Sequence, residues 1–187
     1  RTTYAEIHAR SKRVSSVLQG WDVKVGDRIA TLAWNTSRHM EVWYGIMGIG
    51  AIYHTLNPRL FPEQLAWIMN HAEDRAVMTD LSFVPILEAI ADKVVSLRKI
   101  IVLTDEAHLP KDSKLDLVAY ETWISQQDGD FRWKDLDENT ACGMCYTSGT
   151  TGRPKGVRSS ASKAVMPVEM LELMGGSMAQ MLGIPNT

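Results

Sequence analysis

Twelve consecutive residues, Tyr146-Thr147-Ser148-Gly149-Thr150-Thr151-Gly152-Arg153-Pro154-Lys155-Gly156-Val157, gather three glycines, four hydroxyls and a lysine. Their common chemistry is the binding of oxyanions. The glycines Gly149 and Gly152 let the backbone turn through positive φ and approach a ligand closely, so that successive N–H groups converge on it. The hydroxyls of Thr147, Ser148, Thr150 and Thr151 add short hydrogen-bond donors, and Lys155 adds a full positive charge. Pro154 stiffens the chain just before that lysine. A plain surface turn has no use for this set. A nucleoside-triphosphatase P-loop requires Gly-Lys followed directly by Ser or Thr, whereas Lys155 stands between Pro154 and Gly156. The stretch is therefore a phosphate cradle of another class.

The elements that carry it read as alternating helix and strand. Thr3 and Glu6 have capping-box spacing, and Tyr4, Ile7, Val14, Val17 and Leu18 predict a helix that stops near Gly20. A strand over residues 28–33 follows, then a helix capped by Asn35 or Thr36 and running to Gly48. The next strand covers residues 51–56, and Pro62 opens a helix that carries Leu65, Ile68 and Met69. Residues 76–79 read as strand, Ser82 as the cap of a helix with Leu87 and Ile90, and residues 99–104 as strand. Residues 105–114 read as a loop, 117–126 as a short helix, 127–139 as a charged connection and 141–147 as a strand entering the phosphate cradle. This βα alternation predicts an α/β fold: a largely parallel sheet flanked by helices, with ligands beyond the carboxyl ends of the strands.

Composition restricts the function. The chain has 187 residues, 45% hydrophobic and 22% charged, with a net charge of −2, which suits one globular domain with a sizeable core. No run of Lys and Arg points to nucleic acid or an anionic membrane. The uncharged stretch Val42 to Leu56 is fifteen residues with three glycines, too short and broken to span a bilayer, and no transmembrane segment is expected. Cys142 and Cys145 have CxxC spacing. On a strand, however, residues three apart are expected on opposite faces, which favours buried small residues over a redox pair or metal site. The low cysteine count and the lack of a secretory signal suit the cytoplasm, and a first residue other than Met suggests a lost amino end. Trp34, Trp43 and Trp67 read as packing residues. His39, His54 and His71 lack metal spacing, although His54 ends a strand on the site's side of the sheet. Met166, Met170, Met174, Met178 and Met181 form an apolar stripe if helical, interrupted at Gly175-Gly176; it reads as core, or else as a lipid or partner surface.

Three motifs, in order, resemble the adenylate-forming superfamily of acyl-CoA synthetases, luciferases and peptide-synthetase adenylation domains. The twelve-residue loop matches its signature phosphate loop, Thr3-Tyr4-Ala5-Glu6-Ile7 an early element, and Gly50-Ala51 through Asn57-Pro58-Arg59 a middle one. The stretch from His54 to Gln64 is most similar to bacterial medium-chain and long-chain fatty acyl-CoA synthetases and their relatives acting on methylmercaptopropionate. The resemblance implies an ATP-dependent acid–thiol ligase that activates a carboxylic acid as an acyl adenylate and passes it to coenzyme A. It further implies Thr147, Ser148, Gly149, Thr150, Thr151, Gly152 and Lys155 around the phosphates, Lys155 as the catalytic charge and Thr147 at a Mg2+ ion. Ser148 is then a donor and not a nucleophile, since no partnered histidine is evident. The complete enzyme could be a homodimer.

The resemblance covers residues 1–157, the expected first part of a large amino-terminal domain. Residues 158–187 depart from it and receive no domain. The later superfamily elements for adenine, ribose and the mobile carboxy-terminal lysine are missing, so the chain alone is expected to be inactive. Two alternatives stand beside this reading: a non-catalytic nucleotide- or phosphate-binding module, and an unrelated nucleotide hydrolase.

Overall fold

The computed structural model describes residues 2–147 and 154–160. Helix α1 (Tyr4–Gly20) begins at its capping box: the Glu6 amide donates to Thr3 Oγ1 at 3.2 Å and the Thr3 amide donates to the Glu6 carboxylate at 2.6 Å. Of the two caps expected for α2 (Ser37–Gly48), Thr36 is the one used, its hydroxyl accepting the His39 amide at 3.3 Å. Helix α3 (Pro62–Ala72) has Pro62 in its first turn, where a missing N–H costs nothing. Helix α4 (Val84–Glu88) is shorter than expected, with 3-10 turns at Leu81–Phe83 and Ala91–Lys93 on either side.

The strands are β1 (Arg28–Leu32), β2 (Ile52–Thr55), β3 (Ala76–Thr79), β4 (Lys99–Val102), β5 (Leu117–Ala119), β6 (Ala141–Thr147) and β7 (Lys155–Ser160). They form one sheet in the order β5-β4-β3-β1-β2-β6-β7. Every pair is parallel except β6 with β7, so the expected sheet is present with one antiparallel edge. The expected helix over 117–126 is corrected: Leu117–Ala119 extends the sheet beside β4, in register Ile100↔Leu117, and only Tyr120–Ser125 is helical, as α5. The apolar Leu-Val-Ala run finds an unpaired strand edge there, and pairing with it outweighs local helix propensity.

Each sheet face buries its own core. Helices α1, α2 and α5 cover one face, where Val14, Leu18, Val42, Ile46, Ile29, Tyr120 and Trp123 pack together. Helices α3 and α4 cover the other, over Leu65, Ile68, Met69, Leu87, Ala30, Leu32 and Val77. Right-handed crossovers produce this division, because the direction of travel across the sheet reverses after β2. The charged connection before β6 is pinned to the first face: Trp133 Nε1 donates to Ser15 Oγ at 2.8 Å, and its ring lies so close to Gly48 that a Cβ there would meet it at 2.2 Å.

The expected opposite orientation of the two cysteines also needs correction. A bulge between Ala141 and Gly143 shifts the register of β6 against β7, and a bulge turns successive side chains out of strict alternation. Cys142 joins the α1/α2-side core with Tyr53, and Cys145, which shares that face by its register with Thr55, also acts on the Tyr53 hydroxyl. Burial pushes the Tyr53 phenol up to about 12 and both thiols above their usual range. Both cysteines are free.

Candidate functional site

Strands β6 and β7 form a hairpin whose innermost pair is Thr147↔Lys155. The hairpin places Thr147 and Lys155, which flank the glycine- and hydroxyl-rich stretch, side by side at the carboxyl end of β6. Of the sequence-predicted site residues, Thr147 is half-buried at the end of β6 and Lys155 exposed at the start of β7. Ser148, Gly149, Thr150, Thr151 and Gly152 lie outside the described residues. Since Thr147 and Lys155 are direct cross-strand partners, their side chains share a face. A hydroxyl and an ammonium thus stand together at the mouth of the hairpin, a pairing that suits a bound oxyanion. Strand β2 runs parallel beside β6, in register Thr55↔Cys145, so the Asn57-Pro58-Arg59 turn leaves the sheet at the same end. There Asn57 Oδ1 accepts the Arg59 amide at 3.0 Å.

Strand β7 continues through Val157 to Ser160. It is bonded to β6 alone among the described residues, and Lys155, Gly156, Val157 and Arg158 are exposed. The hairpin's inner strand is much better supported. Tyr146, one residue before Thr147, packs against His54, Trp67 and His71, with ring centroids 5.3, 6.3 and 5.8 Å away. Beneath it lies a buried pair that sequence reading missed. Nδ1 of His54 is 2.9 Å from both carboxylate oxygens of Asp74, and both side chains are 0% exposed. Burial raises the Asp74 pKa, an effect that the hydrogen bond from His54 and the charge of Arg28 only partly offset. The Nδ1–H of His54 donates to Asp74, while Nε2 has no partner among the described residues. This aspartate–histidine pair is sealed from solvent, so it orients the His54 ring and cannot serve a nucleophile. The only sequence signal was His54 at a strand end, because nothing in the chain links it to an aspartate twenty residues later.

A second polar region lies at the carboxyl ends of β1, β3 and β4. A cleft of about 360 Å³ is lined there by Arg10, Thr36, Arg38, Glu41, Asp80 and Glu121 among others. Its charges are mutually satisfied. Arg10 donates to Glu41 at 2.8 Å and to Glu121 at 2.9 and 3.0 Å, Arg38 donates to Glu121 at 2.7 Å, and the Tyr120 hydroxyl donates to Glu41 at 2.7 Å. Burial pushes the Glu121 carboxyl up, but the bonds from Arg10 and Arg38 more than reverse it and leave its pKa lowered. Burial and the neighbouring Glu41 carboxylate hold the Tyr120 phenol well above its usual range.

The chain is an α/β protein whose nearly parallel sheet ends in a hairpin that brings Thr147 and Lys155 together on either side of a glycine- and hydroxyl-rich stretch. The AMP-binding enzyme family model matches residues 1–181, and the chain belongs to that family. It is 43% identical over 167 residues to a 3-methylmercaptopropionyl-CoA ligase of Ruegeria pomeroyi, covering 88% of this chain and 31% of that protein. It is 39% identical over 177 residues to a long-chain-fatty-acid–CoA ligase of Thermus thermophilus, covering 95% and 31%. The chain thus spans about 30% of the length of these curated relatives. Among solved structures, an anthranilate CoA ligase in complex with anthranoyl-AMP superposes with a TM-score of 0.79 at 23% identity, covering 87% of this chain and 30% of that one. A putative long-chain-fatty-acid CoA ligase from Rhodopseudomonas palustris gives 0.75 at 22%, covering 92% and 41%. These two likenesses establish the fold. Among the described residues no helix is long and apolar enough to cross a membrane.

Proposed function

We propose that this chain is the first part of an acid–thiol ligase that activates a carboxylic acid with ATP through an acyl adenylate and transfers the acyl group to coenzyme A. The observation that carries the reading is the Thr147↔Lys155 pair, which closes a loop of glycines and hydroxyls at the carboxyl edge of the sheet. The named activities of the most similar relatives support a medium-chain or long-chain fatty acid, or a short thioether acid, as substrate. Residues 1–157 form the opening of a large amino-terminal domain and residues 158–187 are assigned no separate domain, although β7 runs on to Ser160 and the family match to residue 181. The two free thiols suit the reducing cytoplasm.

In this reading the protein supplies no nucleophile: the carboxylate attacks the α-phosphorus and pyrophosphate leaves. The work of the chain is to hold the triphosphate in line and to stabilise the charge growing on the leaving oxygens. Backbone amides and hydroxyls of Thr147, Ser148, Gly149, Thr150, Thr151 and Gly152 bind the phosphate oxygens, and the exposed Lys155 ammonium neutralises the departing pyrophosphate. The Thr147 hydroxyl fits a Mg2+ ion as one hard oxygen ligand beside substrate phosphates, the usual mode for this ion. When bound, Mg2+ would supply charge neutralisation at the phosphates. The test is exchange of labelled pyrophosphate into ATP by the complete enzyme. Exchange that depends on an added aliphatic acid is expected. ATP turnover that ignores the acid would favour a hydrolase, and ATP binding without exchange a non-catalytic module.

A further inference from the structure

Tyr146 is gripped from three sides directly before the phosphate loop. Its hydroxyl is hydrogen-bonded to Nδ1 of His71 on α3 at 2.6 Å. His71 is itself held by Trp67, one turn earlier, in a stack with centroids 4.7 Å apart and planes at 21°. From the sheet side, the His54 ring lies against Tyr146 and is fixed by Asp74. On β7, the residue opposite is Gly156, where a Cβ would come within 3.1 Å of the Tyr146 ring. Every neighbouring element therefore leaves room for this one ring or binds it.

Alternation along β6 puts Tyr146 on the α3 face and sends Thr147, with its partner Lys155, to the other. A bond made through Tyr146 therefore fixes the backbone at the mouth of the hairpin without occupying the side a ligand would use. Among the described residues the outer strand β7 has β6 as its one neighbouring strand and is exposed at residues 155–158. We propose that Tyr146 and His71 are positioning residues for the phosphate loop: their hydrogen bond latches the hairpin's inner strand to α3, and so sets where Thr147 and Lys155 stand. The inference rests on the reading that this loop takes the phosphates of ATP. The Tyr146 phenol is protonated at neutral pH at its ordinary pKa, and burial raises that pKa further.

The test uses Tyr146→Phe, His71→Ala, both together, and His71→Gln, whose side-chain carbonyl can accept the phenol proton. In the chain as it stands, amide hydrogen exchange at Thr147, Lys155 and Gly156 is expected to quicken about 3- to 10-fold in each single variant, the scale of one net hydrogen bond. Strands β1 and β3 should stay protected. In the complete enzyme, KM for ATP should rise by about the same factor while kcat stays within about twofold. The double variant should be no worse than either single, and His71→Gln should restore most of the loss. Unchanged exchange at the hairpin mouth, or additive single effects, would overturn the latch. Quickened amide exchange in an enzyme that shows no acid-dependent pyrophosphate exchange would leave the latch standing and remove the ligase reading instead.

Discussion

Two groups of polar side chains are packed against opposite faces of the same sheet, and they are built differently. On the α1/α2/α5 face, Arg10, Glu41, Arg38, Glu121 and Tyr120 satisfy one another, joining three helices to one another and, through the Arg38 bond to the Leu103 carbonyl, to the end of β4. On the α3 face, Asp74, His54, Tyr146 and His71 form a column that reaches the phosphate loop and leaves Nε2 of His54 unpaired among the described residues. The first lines an open cleft with charges and has the appearance of a site, yet every charge in it already has a protein partner. The second is a packed column, and its value lies in the strand it holds. Charge and concavity are therefore weaker guides here than the direction in which a network transmits support.

The largest expected effect falls at the loop. In the complete enzyme, Lys155→Ala should lower the rate of acyl-adenylate formation about 10- to 1,000-fold, the range for loss of one preorganised charge. Single-turnover pyrophosphate release checks it, and an unchanged rate would make Lys155 a solvated surface residue. The corresponding change in the other network is Glu41→Ala, which leaves Arg10 only its Glu121 partner and strands the fully buried Tyr120 hydroxyl. It should cost about 3 kcal/mol of stability, the low end for a broken buried pair because Arg10 is partly exposed. Urea denaturation of the chain measures this loss, and KM for ATP in the complete enzyme should not move. A changed KM would tie the cleft to nucleotide binding and erase the contrast.

A further effect, of comparable size at its acid limit, should be visible as pH dependence on the α1/α2 face. Burial pushes the His39 pKa down to about 4, a bond to the Trp34 carbonyl opposing it only weakly. The unfolded chain takes up this proton near pH 6.5 and the folded chain only near 4, so His39 contributes stability that is whole above about 6.5. That contribution is lost as pH falls toward 4, by up to about 3 kcal/mol. His39→Gln should flatten this acid limb between pH 6.5 and 4, read from urea midpoints. An identical limb in the variant would assign the acid sensitivity to the carboxylates.

The sequence displays whatever is local. Thr3 with Glu6, and Pro62, marked helix starts because a cap depends on residues within one turn, and the βα alternation implied the parallel sheet for the same reason. Leu117-Val118-Ala119 was misread because an edge position beside β4 made it a strand, and its neighbours in sequence say nothing of β4. The connection over 127–139 looked like a solvated loop, yet it carries Trp133 into the notch left by Gly48. Cys142 and Cys145 share a face because of a bulge that no residue type announces. At the site, Thr147 and Lys155 were legible as loop ends. Their cross-strand pairing was not, nor was the support from His54, Asp74 and His71, which come from three other segments.

The central claim is that the phosphates of ATP belong to the β6–β7 hairpin and not to the arginine-lined cleft on the other side of β1. A crystal structure of the complete enzyme with a non-hydrolysable ATP analogue tests it most directly. The account expects the triphosphate within the loop of residues 148–154, between the Thr147 hydroxyl and the Lys155 ammonium, with the Tyr146–His71 bond intact beneath. A triphosphate seated between Arg10 and Arg38, with their bonds to Glu41 and Glu121 broken, would contradict it.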